Sequence, residues 1–179
     1  MKKKIVYVPL AVDFLHEGHI NILRIAKKYG DVIVGLLTDE AIANYKSIPI
    51  LDYKNRELLV KNLKYVSKVV PQKTEDYSYN LNKIKPNFFV HGDDWKYDNR
   101  KKTRAKVIKT LKKWSGKLIE PKYTKNISSF KIKNKILELA SLPENRVSRL
   151  KRLLSSKKIV RILESHNSLT GLIIENLKV

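Results

Sequence analysis

Five short apolar runs, each followed by a segment with helical spacing, constrain the fold of this chain more than any other feature. The runs are four to eight residues long and rich in β-branched residues, as buried strands are. Because strands that alternate with helices pair in parallel and are covered on both faces, the pattern predicts an α/β fold with a mostly parallel sheet and right-handed crossovers. The predicted strands are residues 4–8, 31–38, 68–71, 87–91 and 117–120.

Further elements are predicted from local patterns. A helix is expected over residues 52–65, with Leu58, Leu59, Leu63 and Val66 on its apolar face. Ser128 is expected to cap a helix that runs to about residue 140. Residues 158–163 read as an additional strand.

Three polar segments follow predicted strands and are the candidate site. They are residues 13–19, 91–95 and 123–129. Ligands of parallel sheets bind outside the carboxyl ends of the strands, which meet at one edge. We therefore expect these three segments to converge on one binding site.

The first of these segments carries His16 and His19, with Gly18 between them, where a loop enters the first predicted helix. Backbone N–H groups at a helix start are unpaired, and the helix dipole is positive there. A glycine leaves room for a ligand to approach the backbone. The junction is therefore a candidate phosphate-binding site.

Composition narrows the possible classes. The 179 residues suit one domain with a short appendage, and the absence of cysteine excludes a disulfide framework and a thiolate metal site. No apolar run is long enough to cross a membrane, so we expect a cytoplasmic protein without a membrane partner. The formal net charge of +21 fits nucleic-acid binding, attraction of small polyanions such as nucleotides, or a coding bias. The last two explanations receive more weight.

Three landmarks, taken in order, resemble a known family. They are Asp13-x-x-His16-x-Gly18-His19, the run His91–Trp95 and the run Tyr123–Ser129. The first 140 residues or so resemble bacterial cytidylyltransferases of the glycerol-3-phosphate cytidylyltransferase type, which belong to the HxGH nucleotidyltransferases. The resemblance implies a Rossmann-like three-layer sandwich.

The resemblance also implies roles for individual residues. His16 and His19 would stabilise charge on the phosphates as pyrophosphate leaves, and Lys46 would neutralise the triphosphate. The implied acceptor contacts are Asp94, Trp95 and Arg56. The implied nucleotide contacts are Asp13, Gly18, Gly92, Asp93, Tyr123, Thr124, Ile127, Ser128 and Ser129.

Two stretches depart from the family pattern. The first loop reads Leu10-Ala11-Val12-Asp13, where the family has Gly-Thr-Phe-Asp. The family arginine before Thr124 is replaced by Tyr123, with Lys122 beside it.

The composition shifts after Pro143, which predicts a domain over residues 1–142 and a helical or extended appendage over 143–179. Residues 164–173 resemble the opening strand and loop of phosphoenolpyruvate mutase, which some phosphonate-pathway proteins fuse to a cytidylyltransferase domain. That likeness implies an acceptor such as 2-hydroxyethylphosphonate. A mutase barrel needs roughly 250 residues, so we expect no mutase activity here.

The prediction is therefore transfer of CMP from CTP to a phosphonate or phosphate, with release of pyrophosphate. Mg²⁺ is expected on the triphosphate rather than in a protein cage. A homodimer is a further expectation from the family. The alternatives are an ATP-dependent adenylyltransferase of the same fold, a basic nucleic-acid-binding module, and a non-catalytic scaffold domain. Nucleic acid ranks low because the sequence lacks an RNA-recognition aromatic motif.

Overall fold

A five-stranded, fully parallel sheet forms the centre of the molecule, with strand order β3-β2-β1-β4-β5. The computed structural model describes residues 3–44, 48–96, 100–124, 128–129, 132, 143–156 and 165–176. The predicted parallel sheet is confirmed, and each strand lies within two residues of its predicted bounds. The strands are β1 (Ile5–Leu10), β2 (Asp31–Leu37), β3 (Lys68–Gln72), β4 (Phe88–Val90) and β5 (Lys117–Ile119).

Helices connect the strands, and side-chain caps mark where several of them begin. Thr38 accepts a hydrogen bond from the Ala41 N–H, and Asp52 accepts one from the Asn55 N–H, as N-cap residues do. Short 3-10 helices cover Asp93–Lys96 and Lys112–Trp114. The α-helices are α1 (Glu17–Lys27), α2 (Asp39–Ala43), α3 (Tyr53–Lys61), α4 (Ser78–Ile84), α5 (Lys101–Leu111), α6 (Pro143–Ser156) and α7 (Ser168–Asn176).

Apolar side chains pack on both faces of the sheet, because successive residues of a strand point to opposite sides. On one face Val6 and Val8 of β1 pack with α1 and α3. On the other face Tyr7 of β1 and Phe89 of β4 pack with α4 and α5. The predicted three-layer sandwich is therefore confirmed.

A buried polar network ties β1, β3 and α4 together. The Tyr7 hydroxyl donates to Gln72 Oε1 at 2.6 Å, and Asn80 Nδ2 donates to both Tyr7 Oη (3.0 Å) and Gln72 Oε1 (2.9 Å). Gly35 of β2 lies against the Tyr7 ring, where an added Cβ would be 1.8 Å from Tyr7 Oη. The network therefore requires glycine, which has no side chain, at position 35.

The predicted apolar face of the 52–65 helix is wrong at Leu58 and Leu59 and confirmed at Leu63 and Val66. Leu58 and Leu59 are 62% and 45% exposed, whereas Arg56 and Val60 are fully buried. Leu63 and Val66 pack on the core, but both lie beyond the end of α3 at Lys61. The helix is shorter than predicted, and its inward face carries a buried arginine that a search for apolar residues does not reveal.

The C-terminal predictions have mixed outcomes. The predicted strand over 158–163 lies outside the described residues. Within 164–173, the part that begins at Ser168 is helical rather than a loop. The Ile132 N–H donates to the Ser128 carbonyl at 3.2 Å. Most of the helix predicted to run from Ser128 to about residue 140 lies outside the described residues. Across the described ranges, every helix is too short or too polar to cross a lipid bilayer.

Gly35→Ala should destabilise the fold by about 1–3 kcal/mol, because the new methyl group collides with the Tyr7 phenol. Gly171→Ala is the matched control, since its Cβ would lie 3.6 Å from the nearest side-chain atom and alanine favours a helix. Urea unfolding of both variants measures the difference. Equal stability of Gly35→Ala and the natural protein would contradict the packing described here.

Candidate active site

A cavity of about 560 Å³ lies at the carboxyl ends of the parallel strands. Its volume falls in the usual range for small-molecule sites, about 300–1,000 Å³. Residues from all three predicted segments, 13–19, 91–95 and 123–129, line it. The predicted convergence on one edge of the sheet is therefore confirmed.

His16 and His19 lie side by side where α1 begins, with their ring centroids 3.9 Å apart. His16 caps the helix: its Nδ1 accepts a hydrogen bond from the Gly18 N–H at 3.1 Å. The His16 N–H in turn donates to His19 Nδ1 at 3.4 Å. Because Nδ1 of each ring accepts a hydrogen bond, the neutral imidazoles carry their proton on Nε2.

This arrangement gives the cavity two hydrogen-bond donors. Both histidines line it, and in this tautomer each neutral ring carries its N–H donor on Nε2. Partial burial lowers the pKa of His16 from its usual 6.5, so this ring is neutral at about pH 7. Imidazole N–H donors at the positive end of the helix dipole suit the oxygen atoms of a phosphate.

Gly18 permits the close packing between the two histidines and the segment after β5. A Cβ at this position would lie 3.0 Å from the His16 ring and 3.6 Å from Thr124. Asn21 Nδ2 donates to Thr124 Oγ1 at 3.4 Å, and Ser129 Oγ donates to the Phe14 carbonyl at 3.2 Å. These bonds hold the segments from β1 and β5 on opposite sides of one opening.

Asp13 holds a loop beside the cavity. Its Oδ1 accepts hydrogen bonds from the Ile50 N–H at 2.6 Å and the Leu51 N–H at 3.3 Å. Val12, just before it, is buried with φ of 49°, a left-handed conformation that β-branched residues rarely adopt. Burial of Val12 and the bonds of Asp13 maintain this strained turn.

Arg56 does not reach the cavity, contrary to the prediction that it contacts the acceptor. Its side chain is completely buried. It donates to the Leu51 carbonyl at 3.1 Å, to the Ala11 carbonyl, and to Asp39 Oδ1 at 2.8 Å. Because all three partners lie in different segments around the cavity, Arg56 stabilises the walls rather than the ligand.

Trp95 is also fully buried and does not line the cavity, contrary to its predicted acceptor role. It stacks under the His91 ring, with centroids 4.0 Å apart, and donates from Nε1 to Glu120 at 2.7 Å. Hydrogen bonding from Arg104 and from Trp95, against the effect of burial, lowers the pKa of Glu120 to about 2. Trp95 therefore supports His91, which does line the cavity.

The remaining residues of this segment fix its position. Asp93 Oδ1 accepts from the Tyr123 N–H at 2.9 Å, so Asp93 joins the loops after β4 and β5 without lining the cavity. Arg100 Nη2 donates to Asp94 Oδ2 at 2.6 Å. A Cβ on Gly92 would lie 2.9 Å from Asp94 Oδ1, so the backbone there is closely packed.

The chain matches the cytidylyltransferase-like family over residues 12–135. It belongs to this family. The match includes all three segments that line the cavity.

Three proteins are similar in sequence to parts of this cytidylyltransferase-like chain. Glycerol-3-phosphate cytidylyltransferase of Bacillus subtilis is 36% identical over 97 residues, which cover 53% of this chain and 74% of that enzyme. Ethanolamine-phosphate cytidylyltransferase of Dictyostelium discoideum is 34% identical over 74% of this chain, but the chain spans only 36% of that protein. FAD synthase of Thermoplasma volcanium is 30% identical over 71% of this chain and 89% of that enzyme.

Among solved structures, a lipopolysaccharide core biosynthesis protein of Thermoplasma volcanium is similar in fold. It superposes with a TM-score of 0.58 at 26% identity, covering 70% of this chain and all of that chain. The rest of this chain has no counterpart in that structure.

Most residues predicted for the site in this cytidylyltransferase-like chain line one cavity. Three predicted residues, Asp93, Trp95 and Arg56, are among the described residues but do not line it. Lys46 and Ile127 lie outside the described residues, so their roles stay predictions. The predicted residues that line the cavity are Asp13, His16, Gly18, His19, Gly92, Asp94, Tyr123, Thr124, Ser128 and Ser129.

Five residues with charged, amide or imidazole side chains line the cavity although the sequence did not assign them to it: Asn21, Glu75, His91, Arg100 and Lys122. His91 begins the His91–Trp95 run, Asn21 follows His19 by two residues and Lys122 precedes Tyr123, so proximity to these motifs could have indicated all three. Glu75 and Arg100 lie in polar segments without a distinguishing pattern, and only the fold brings them to the cavity.

The free energy of unfolding should fall as pH drops from about 7.5 to about 5.5, since the unfolded chain then binds more protons than the folded one. Burial lowers the pKa of both His16 and His91 below the usual 6.5. Their contribution is therefore fully present above about pH 6.5 and is lost as pH falls toward the lowered pKa. Urea unfolding across this range measures the slope.

His16→Asn keeps a capping side chain but removes one titrating group, so its stability should depend less on pH. His166→Asn is the control for removing an imidazole, because His166 is exposed. The same slope for His16→Asn and the natural protein would contradict a lowered pKa of the partly buried His16.

Proposed function

We propose that this protein transfers CMP from CTP to a phosphonate or phosphate acceptor and releases pyrophosphate. One observation carries the proposal: two imidazoles with Nε2–H donors line a cavity at the start of α1, opposite Thr124 and Ser129. Membership of the cytidylyltransferase-like family supports the nucleotide class.

The reaction is an in-line displacement at phosphorus. An acceptor oxygen forms a bond to the α-phosphorus of CTP, and the bond from that phosphorus to the bridging oxygen breaks. The electron pair leaves with pyrophosphate, and the anionic acceptor needs no strong base. His16 and His19 would donate hydrogen bonds to oxygens whose negative charge grows in this step, which lowers the barrier.

Mg²⁺ is proposed to accompany CTP. Across the described parts of the chain, no three acidic or imidazole side chains are placed to hold a metal ion together. Asp13 is already bonded to two backbone N–H groups, and the histidines use Nδ1 in the helix cap. The residues present therefore fit an ion held by phosphate oxygens and water, where it would neutralise the leaving pyrophosphate.

Two cationic side chains of the lining could contact an anionic acceptor, although three acidic ones, Asp13, Glu75 and Asp94, line the cavity as well. Lys122 lines the cavity and is exposed, and Arg100 lines it beside Asp94. The names of the Bacillus and Dictyostelium relatives specify glycerol-3-phosphate and ethanolamine phosphate, which are phosphate esters. A phosphonate such as 2-hydroxyethylphosphonate carries the same anionic group and is the proposed acceptor of this chain.

An ATP-dependent adenylyltransferase is the second candidate, because FAD synthase of Thermoplasma volcanium matches most of this chain. The two candidates share the phosphate chemistry and differ in the base. Equilibrium binding of CTP and of ATP to the natural protein separates them. Tighter binding of ATP would favour the second candidate.

His16→Ala and His19→Ala should each lower the rate of pyrophosphate release by roughly 10²–10³-fold, because each removes one donor from the developing charge. The assay supplies CTP, Mg²⁺ and a set of phosphonates and phosphate esters. His166→Ala is the matched control, since this imidazole is exposed and lies in the appendage.

The natural protein should release pyrophosphate with at least one acceptor, and His166→Ala should match it. Turnover near the natural rate in both active-site variants would remove the imidazoles from the mechanism. A cytoplasmic location, expected from the sequence composition, and a homodimer, expected from the family resemblance, remain separate proposals.

A further inference from the structure

The loop at residues 50–51 lies behind one wall of the cavity, and side chains from other segments hold its backbone groups. Asp13 accepts hydrogen bonds from the N–H groups of both Ile50 and Leu51. Arg56 donates to the carbonyl of Leu51 at 3.1 Å. Because an irregular loop has no ladder of its own, these side chains satisfy its backbone groups.

The carbonyl of Ile50 has its partner in the C-terminal appendage. Arg152 of α6 donates from Nη1 to the Ile50 carbonyl oxygen. The same peptide segment is therefore held on its N–H side by Asp13, which lines the cavity, and on its carbonyl side by Arg152. Arg152 and Ile50 are 102 residues apart in the sequence.

A carboxylate on α2 completes the connection. Asp39 pairs with the buried Arg56 at 2.8 Å, and its second oxygen lies 3.6 Å from Arg152 Nη2. That oxygen also accepts from the Tyr53 N–H at 3.3 Å. Asp39 thus joins the two arginines that hold the loop, and α6 packs against α2 at this point.

We propose that Arg152 is a positioning residue through which the appendage helix α6 controls the active site. It holds the Ile50 carbonyl so that the N–H groups of this loop stay aligned with the Asp13 carboxylate. The proposal rests on the function proposed above, because it assigns α6 a part in that reaction. Arg152 does not line the cavity and acts through Ile50 and Asp13.

Loss of Arg152 should loosen the loop rather than unfold the domain. The Ile50 carbonyl would lose a charge-assisted hydrogen bond, which is stronger than a neutral one. The Asp13 carboxylate would then face N–H groups that move, and misplacement of about 1 Å near a reacting centre costs as much as roughly 10²-fold in rate. Coupling is reciprocal, so nucleotide in the cavity should order α6.

The test uses the full chain with Arg152→Ala, Arg152→Lys and the control Lys151→Ala. Lys151 is exposed on the same helix, and Lys151→Ala removes one positive charge, as Arg152→Ala does. Arg152→Ala should lower kcat/KM for CTP plus acceptor by roughly 10- to 100-fold. Arg152→Lys should restore part of the rate, since one ammonium can still donate to the carbonyl.

Amide hydrogen exchange, followed by NMR without substrate, reads the loop directly. In Arg152→Ala the Ile50 and Leu51 amides should exchange faster, while those of Val8 and Val34 in the central strands should not change. Lys151→Ala should match the natural protein at all four positions. In the natural protein, CTP should slow exchange in α6, and Arg152→Ala should abolish this effect.

Three results would overturn the proposal. They are unchanged Ile50 exchange in Arg152→Ala, faster exchange in the central strands to the same extent, or equal losses in Lys151→Ala. An inactive natural protein would reject the proposed function, and the exchange data without substrate would still decide whether Arg152 holds the loop. The failure of either proposal is therefore recognisable by itself.

Discussion

The structure of the site depends on how the first turn of α1 is capped. Helices usually begin at a serine, threonine, aspartate or asparagine, but here His16 accepts the Gly18 N–H and His19 accepts the His16 N–H. These bonds occupy Nδ1 of both rings, which leaves the proton of each neutral imidazole on Nε2. One local interaction therefore stabilises the helix and sets the tautomer that phosphate chemistry needs.

The sheet places this cap where the chain changes direction. β1 is central: the chain moves from β1 through β2 to β3 on one side and reaches β4 and β5 on the other. Loops that leave neighbouring strands toward opposite faces open a crevice at their carboxyl ends. α1 begins directly in this crevice, and the segments after β4 and β5 form its other side. The topology thus explains why residues more than 100 positions apart, such as Asn21 and Thr124, are in contact.

The sequence was sufficient for the sheet and for the convergence of its loops, because strand periodicity and chain order determine both. It was insufficient where a polar residue has a structural role. Arg56 and Trp95 look like ligand contacts in a motif, yet both are fully buried and bind backbone or carboxylate partners in other segments. Such partners are 5 to 45 residues away for Arg56 and 25 for Trp95, and no local pattern reveals them.

The central claim is that CTP is held through Nε2–H of two neutral imidazoles, and NMR of the imidazole nitrogens tests it most directly. Nitrogen chemical shifts distinguish protonated from unprotonated ring positions in His16 and His19. On addition of CTP and Mg²⁺, both rings should keep their proton on Nε2, and both Nε2–H signals should shift as they bond to phosphate oxygens. CTP binding with the proton on Nδ1 of either ring, or without a change at Nε2, would contradict the account.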